Sequence, residues 1–82
     1  MSIFCVECNR KDFDFEFSIV KVLPFVSPRK DEIETIYYED CNSFGEHWDF
    51  YEVWVIEDTF KEAFDKGYDL IMEFINNGSK SD

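Results

Sequence analysis

From position 12 the chain alternates carboxylate and phenylalanine, Asp12-Phe13-Asp14-Phe15-Glu16-Phe17, and continues through Ser-Ile-Val-Lys-Val-Leu to residue 23. A β-strand sends successive side chains to opposite faces. The alternation therefore predicts a half-buried strand over 13–23, with Phe13, Phe15 and Phe17 turned inward and Asp12, Asp14 and Glu16 turned outward. Residues 2–7 read as a second strand, and the polar run Asn9-Arg10-Lys11 between the two predicts the turn of an antiparallel hairpin. Pro24 and Pro28 then interrupt the pattern. Ser27-Pro28 could cap a short helix, whereas Ile33, Thr35, Ile36, Tyr37 and Tyr38 favour a strand, which is placed over 32–39. A loop over 40–46 leads into HWDFYEVWVIE, the strongest strand pattern in the chain. There Phe50, Trp54 and Ile56 share one face and Tyr51, Val53 and Val55 the other. Apolar positions on both faces predict a central strand.

The helical pattern comes last. Thr59 and Glu62 form a T-x-x-E capping box, and Phe60, Ala63, Phe64, Tyr68, Ile71, Phe74 and Ile75 recur at helical spacing until Asn76-Asn77-Gly78 ends the element. That face packs on the sheet. The opposite surface carries Glu62, Asp65, Asp69 and Glu73 at steps of three, four and four, with Lys61 and Lys66 beside them. The simplest use of such a stripe is a solvated helix face. The expected fold is α+β: a small antiparallel sheet of three to four strands packed against one C-terminal helix. Residues 1–78 form a single domain and 79–82 a disordered polar tail.

Composition sharpens this picture. Among 82 residues are ten Phe, four Tyr and two Trp, but one Ala and two Leu. A short chain buries only about three fifths of its unfolded surface and needs large side chains in its core. Aromatic and β-branched residues suit a sheet better than a helical bundle. Nineteen Asp and Glu stand against eight Lys and Arg, for a net charge of -11. Self-repulsion on that scale opposes the compact state, so something other than stability maintains it. From Asp31 to Phe60 there are ten acids and no Lys or Arg. Such a chain repels nucleic acid and anionic membrane and attracts basic surfaces. No stretch is apolar enough to span a membrane, the sequence opens without the regions of a signal peptide, and three cysteines fit a reducing compartment; the expected location is cytoplasmic.

The chemistry-bearing residues are few. Cys5 and Cys8 form a C-x-x-C, and Cys41 lies six residues before the sole histidine, His47. A Cys3His set of Cys5, Cys8, Cys41 and His47 would suit tetrahedral zinc and use every soft ligand in the chain. The alternative is that Cys5 and Cys8 point to opposite faces of an edge strand as small hydrophobes or free thiols. No other cofactor is expected. Enzymatic patterns are weak, and no catalytic residue is assigned: Cys41 and His47 lack an orienting third group, Asp12-x-Asp14-x-Glu16 lacks the glycine and distal glutamate of a calcium loop, and three glycines make no phosphate cradle.

The acidic rows point instead to binding. Alternate residues of a strand lie about 6.6 Å apart, so outward carboxylates form a regular line of negative charge, comparable to the phosphates along a nucleic-acid strand. In size and charge the chain resembles the DNA mimics that bacteriophages direct against restriction, CRISPR or repair enzymes; the resemblance is compositional and rests on no motif. It implies a small acidic inhibitor, of anti-CRISPR or anti-restriction type, that occupies the basic surface of a nucleic-acid-binding protein in the host cytoplasm without itself binding nucleic acid. The expected contacts are Asp12, Asp14 and Glu16; Glu39, Asp40, Glu46 and Asp49; the helix acids Glu62, Asp65, Asp69 and Glu73; and the aromatic anchors Tyr37, Tyr38, Trp48 and Tyr51. Two other readings stand beside it: an immunity protein or antitoxin that neutralises a nuclease, acidic for the same reason, and a zinc-stabilised adaptor.

Overall fold

The computed structural model describes residues 1–24 and 33–78, and within them one antiparallel sheet carries one helix. The strands are β1 (Ser2–Lys11), β2 (Asp14–Pro24), β3 (Tyr37–Ser43) and β4 (Glu46–Glu57), followed by α1 (Phe60–Gly78). In space they run β2-β1-β4-β3. The α+β expectation of a small antiparallel sheet against one C-terminal helix is therefore met, and β4 is central as its two apolar faces required. Among the described residues no helix is long and apolar enough to cross a membrane. The expected tail over 79–82 and the Ser27-Pro28 cap lie outside the described residues.

The helix defines the core face of the sheet. Phe4, Val6 and Cys8 of β1 are paired across to Val55, Val53 and Tyr51 of β4, and these six form one buried cluster with Ala63, Ile71 and Ile75 of α1. Phe17 and Ile19 extend the cluster onto β2. The helix begins as the capping box predicts: the Glu62 amide donates to Thr59 Oγ1 at 3.1 Å, and the Thr59 hydroxyl donates to Glu62 Oε1 at 3.2 Å. Its buried stripe differs from the expectation. Ala63, Gly67, Ile71 and Ile75 are buried, whereas Phe60, Phe64, Tyr68 and Phe74 remain partly exposed along its flanks. The cause is close approach. A Cβ on Gly67 would lie 2.6 Å from Val6 Cβ, so the helix axis sits too near β1 for a large residue at the centre of the contact. The aromatics close over the sides instead, Phe64 and Tyr68 against Phe17 and Phe74 against Tyr51.

Three boundaries move. The turn expected at Asn9-Arg10-Lys11 lies at Asp12-Phe13, between the paired Lys11 and Asp14. Asp12 takes the left-handed conformation there (φ 59°), which Asp tolerates better than most residues. Asp12 and Phe13 thus leave the strand, and the inward row shrinks to Phe15 and Phe17. The strand placed over 32–39 lies over Tyr37–Ser43, with residue 32 outside the described residues; Ile33 makes an isolated parallel bridge to Trp54, and Glu34 N donates to Trp54 O at 2.7 Å. The loop expected over 40–46 shortens to Phe44-Gly45, both at positive φ (51° and 79°), a two-residue hairpin turn of the kind whose twist matches the flanking strands.

Candidate functional site

Both hairpin turns lie at the same end of the sheet. β1 and β4 are antiparallel neighbours with Arg10 opposite Asp49, so the Asp12-Phe13 tip and the Phe44-Gly45 tip project side by side. Lys11 Nζ bridges the two hairpins to Glu46 Oε1 at 3.0 Å. Each tip carries a phenylalanine almost wholly in solvent, Phe13 at 92% and Phe44 at 103% exposure. Burying a phenylalanine is worth about 1.5–3 kcal/mol, and neither ring collects it. Phe44 costs more, because a bulky residue at positive φ is disfavoured and the position favours Asn or Gly.

Carboxylates lie along both hairpins behind these rings, Asp14, Glu16 and Glu46 on the face away from the helix and Asp40 and Asp49 on the helix face. Asp12, Asp14 and Glu16 are exposed along the first hairpin, and Asp40, Glu46 and the partly covered Asp49 along the second. Asp40 and Asp49 stand directly opposite one another across β3 and β4, a like-charge pair that weakens a sheet. His47 Nε2 lies against the Asp40 carboxylate and 3.9 Å from Asp49 Oδ1, and the Tyr38 hydroxyl donates to Asp49 Oδ1 at 2.9 Å. That hydrogen bond, with burial second, pushes the Tyr38 phenol up to about 12. Among the described residues, the Lys and Arg side chains at this end are engaged within the protein. Lys11 holds Glu46, and Arg10 donates to the Asp12 carbonyl at 3.3 Å while its guanidinium lies 5.3 Å from the Phe15 ring centre. Between the hairpins runs a shallow cleft lined by Asn9, Lys11, Asp14, Glu16, Glu46 and Trp48.

The remaining expected contacts fall in three places. Tyr37, Tyr38 and Glu39 are exposed on β3, an edge strand, with the Tyr37 hydroxyl donating to Glu39 at 3.1 Å. Tyr51 is core, 5% exposed under Phe74 and Tyr38, and is not available as an anchor: its face is the one the helix covers. Glu62, Asp65, Asp69 and Glu73 are all exposed on α1, away from the hairpin tips in sequence and element. Glu62 is engaged in the cap, and Asp65 pairs with Lys61 at 3.0 Å. Lys66 reaches Glu34 at 3.4 Å.

The Cys3His set is not assembled. Cys5 and Cys8 are three residues apart on one strand and therefore face opposite sides of the sheet: Cys8 lies in the helix-side cluster, and Cys5 is paired with Trp54 on the other face; the strand is not the expected edge strand but an inner one, paired with β2 and β4. Cys41, across from Trp48, and His47, across from Asn42, occupy alternate positions, which also separates the Cys41–His47 dyad. All three thiols are free. Burial, then a hydrogen bond with Glu52, pushes Cys5 up to about 12, and burial pushes Cys8 up to about 11, opposite to the thiolate a metal requires. On the face away from the helix, Glu7 stands opposite Glu52 beside Cys5. Burial first, and the Glu52 carboxylate second, raise the Glu7 carboxyl above its usual range. Among the described residues two groups bring three ligand atoms within 4.8 Å, Cys5 with Glu7 and Glu52, and Asp40 with His47 and Asp49. The first is burdened by its protonated thiol; the second adds negative charge to the exposed hairpin end.

No family model, characterised protein or solved structure matches this chain. Sequence reasoning missed Phe13 and Phe44 by assigning one to a core row and one to a loop. The signal for Phe44 was present, since Phe-Gly stands where a two-residue hairpin turn prefers Asn-Gly.

Proposed function

We propose that this protein is a small acidic inhibitor that occupies the basic, nucleic-acid-binding surface of a larger protein, in the manner of a phage anti-restriction or anti-CRISPR nucleic-acid mimic. The observation that carries the reading is the hairpin-tip end of the sheet. Acids gather there at a cost, with Asp40 opposite Asp49, while Arg10 and Lys11 are turned onto internal partners. A solubility surface has no need to oppose carboxylates across a ladder or to leave phenylalanines in water. Opposed charge patches accelerate association and reject anionic competitors, and exposed aromatic rings supply anchors at the centre of such a contact. The free thiols suit a reducing, cytoplasmic setting.

The test is capture on the immobilised protein from a lysate of the organism's host at low salt, followed by elution with DNA or RNA. The reading expects the retained proteins to be nucleic-acid binders and to leave the surface when nucleic acid or salt is added. Retained proteins without a nucleic-acid site, or elution indifferent to nucleic acid, would contradict it.

A further inference from the structure

We infer that the hairpin-tip surface imitates single-stranded nucleic acid, so that the partner's site is a single-strand-binding groove and not a surface that grips duplex DNA. The inference rests on the proposed mimicry and names its target class. Two kinds of group identify a single strand to a protein: a line of negative charge and unstacked aromatic faces. Sites for single strands answer with a positive groove and stacking side chains, each stacked base contributing about 1–3 kcal/mol. In a duplex the bases are stacked inside, and a protein gripping it from outside meets mainly phosphates.

The hairpin tips present both kinds of group. At the first tip Phe13, 92% exposed, stands between Asp12 and Asp14 in the turn, while Phe15 turns to the helix-side face, opposite to Asp14 and Glu16. The second tip adds Phe44, 103% exposed and next but one to Glu46. A mimic of duplex phosphates has no use for protruding rings, which would hold its carboxylates away from the basic surface. The backbone gives independent support. Phe44 is held at φ 51°, where Asn or Gly would fold more easily, and residues kept in a disfavoured conformation cluster at binding sites. Charge complementarity selects a basic groove over a neutral apolar one, because the exposed carboxylates Asp12, Asp14 and Glu16 beside Phe13 would otherwise be desolvated against an apolar wall.

The experiment is competition against labelled nucleic acid on defined probes: an OB-fold, an RRM and a KH domain, each carrying a fluorescent single-stranded oligonucleotide, and two helix-turn-helix domains carrying labelled duplex operators. The parent protein is expected to displace single strands from at least one of the first group and duplex from neither of the second. A Phe13→Ser/Phe44→Asn variant, whose net charge is unchanged and whose second turn is relieved of strain, should melt no lower than the parent and lose displacement at least tenfold. Displacement of duplex by the parent, no displacement of any single strand, or full competition by the phenylalanine variant would each overturn the inference. The underlying electrostatic reading is separated by a third variant, Asp12→Asn/Asp14→Asn/Glu16→Gln. If that variant fails to displace a probe while the phenylalanine variant still does, charge mimicry stands and the single-strand assignment falls.

Discussion

Gly67→Ala should destabilise the protein even though alanine is the better helix former. On an exposed helix the change would gain about 1 kcal/mol. Here the new Cβ would lie 2.6 Å from Val6 Cβ and 2.7 Å from both Val6 methyl carbons, below the 3.0 Å that real Cβ contacts essentially never breach. Val6 cannot swing aside. It is fully buried, β-branched, and fixed to a strand paired on both sides, to Ile19 and to Val53. The helix must lift, which opens the contacts of Ala63, Ile71 and Ile75, and a gap of 0.5–1 Å already forfeits roughly a quarter to a half of a dispersion contact. Overpacking of this kind costs about 1–3 kcal/mol, and a clash with all three Val6 side-chain carbons puts this site in the upper part, about 2–3 kcal/mol; after the helix gain the net loss should be roughly 1–2 kcal/mol and the melting temperature should fall by about 4–16 °C. Urea melts at constant slope would measure it. In a Val6→Ala background the substitution should cost less, because two of the three atoms in conflict are gone, yet should not become favourable, because the Cβ at position 6 remains. A Gly67→Ala protein as stable as the parent would refute the close docking of α1 on β1.

Two further outcomes follow from the site. The carboxyl of Glu7 is raised by burial and by Glu52 from an ordinary value of 4.5, so its contribution is fully present below that value and is lost as pH rises through the folded pKa; Glu7→Gln should add a few tenths to about 1 kcal/mol at pH 7 and give no gain near pH 3, read from paired denaturant melts. Chelators should leave the melting temperature unchanged, because Cys5 and Cys8 face opposite sides of the sheet, and both thiols should react slowly with a disulfide reagent at pH 8 until the protein unfolds; a chelator-induced drop in melting temperature would reopen a metal site.

The elements that announced themselves were those whose local chemistry and tertiary role agree. Thr59 with Glu62 started the helix, and the two apolar faces of β4 placed it inside the sheet. β3 was hidden because Tyr-Tyr-Glu-Asp-Cys-Asn-Ser at an exposed edge buries no face and so shows no alternation. Asn9-Arg10-Lys11 imitated a turn, although polar residues near the open end of a strand are tolerated and Asp12 could take the left-handed position. The helix centre was misjudged for a related reason: large residues were assigned to the contact, whereas close docking demanded Gly67. Phe13 and Phe44 defeated the rule that phenylalanine is internal, and a conflict between local preference and folded environment is expected where binding rather than stability shapes a sequence.

The most direct test of the central claim is a comparison of two charge-neutralised variants against the captured partner. One replaces the hairpin-tip acids, Asp12→Asn, Asp14→Asn, Glu16→Gln, Asp40→Asn and Glu46→Gln; the other replaces the helix acids, Glu62→Gln, Asp65→Asn, Asp69→Asn and Glu73→Gln. Association rates are measured by stopped flow from low to physiological salt. If the hairpin end meets a basic surface, the parent and the helix variant should associate fast at low salt and slow steeply as salt rises, while the tip variant should start slow and show little salt dependence. Equal rates and equal salt dependence for the parent and the tip variant would contradict the assignment of this surface and the mimicry built on it.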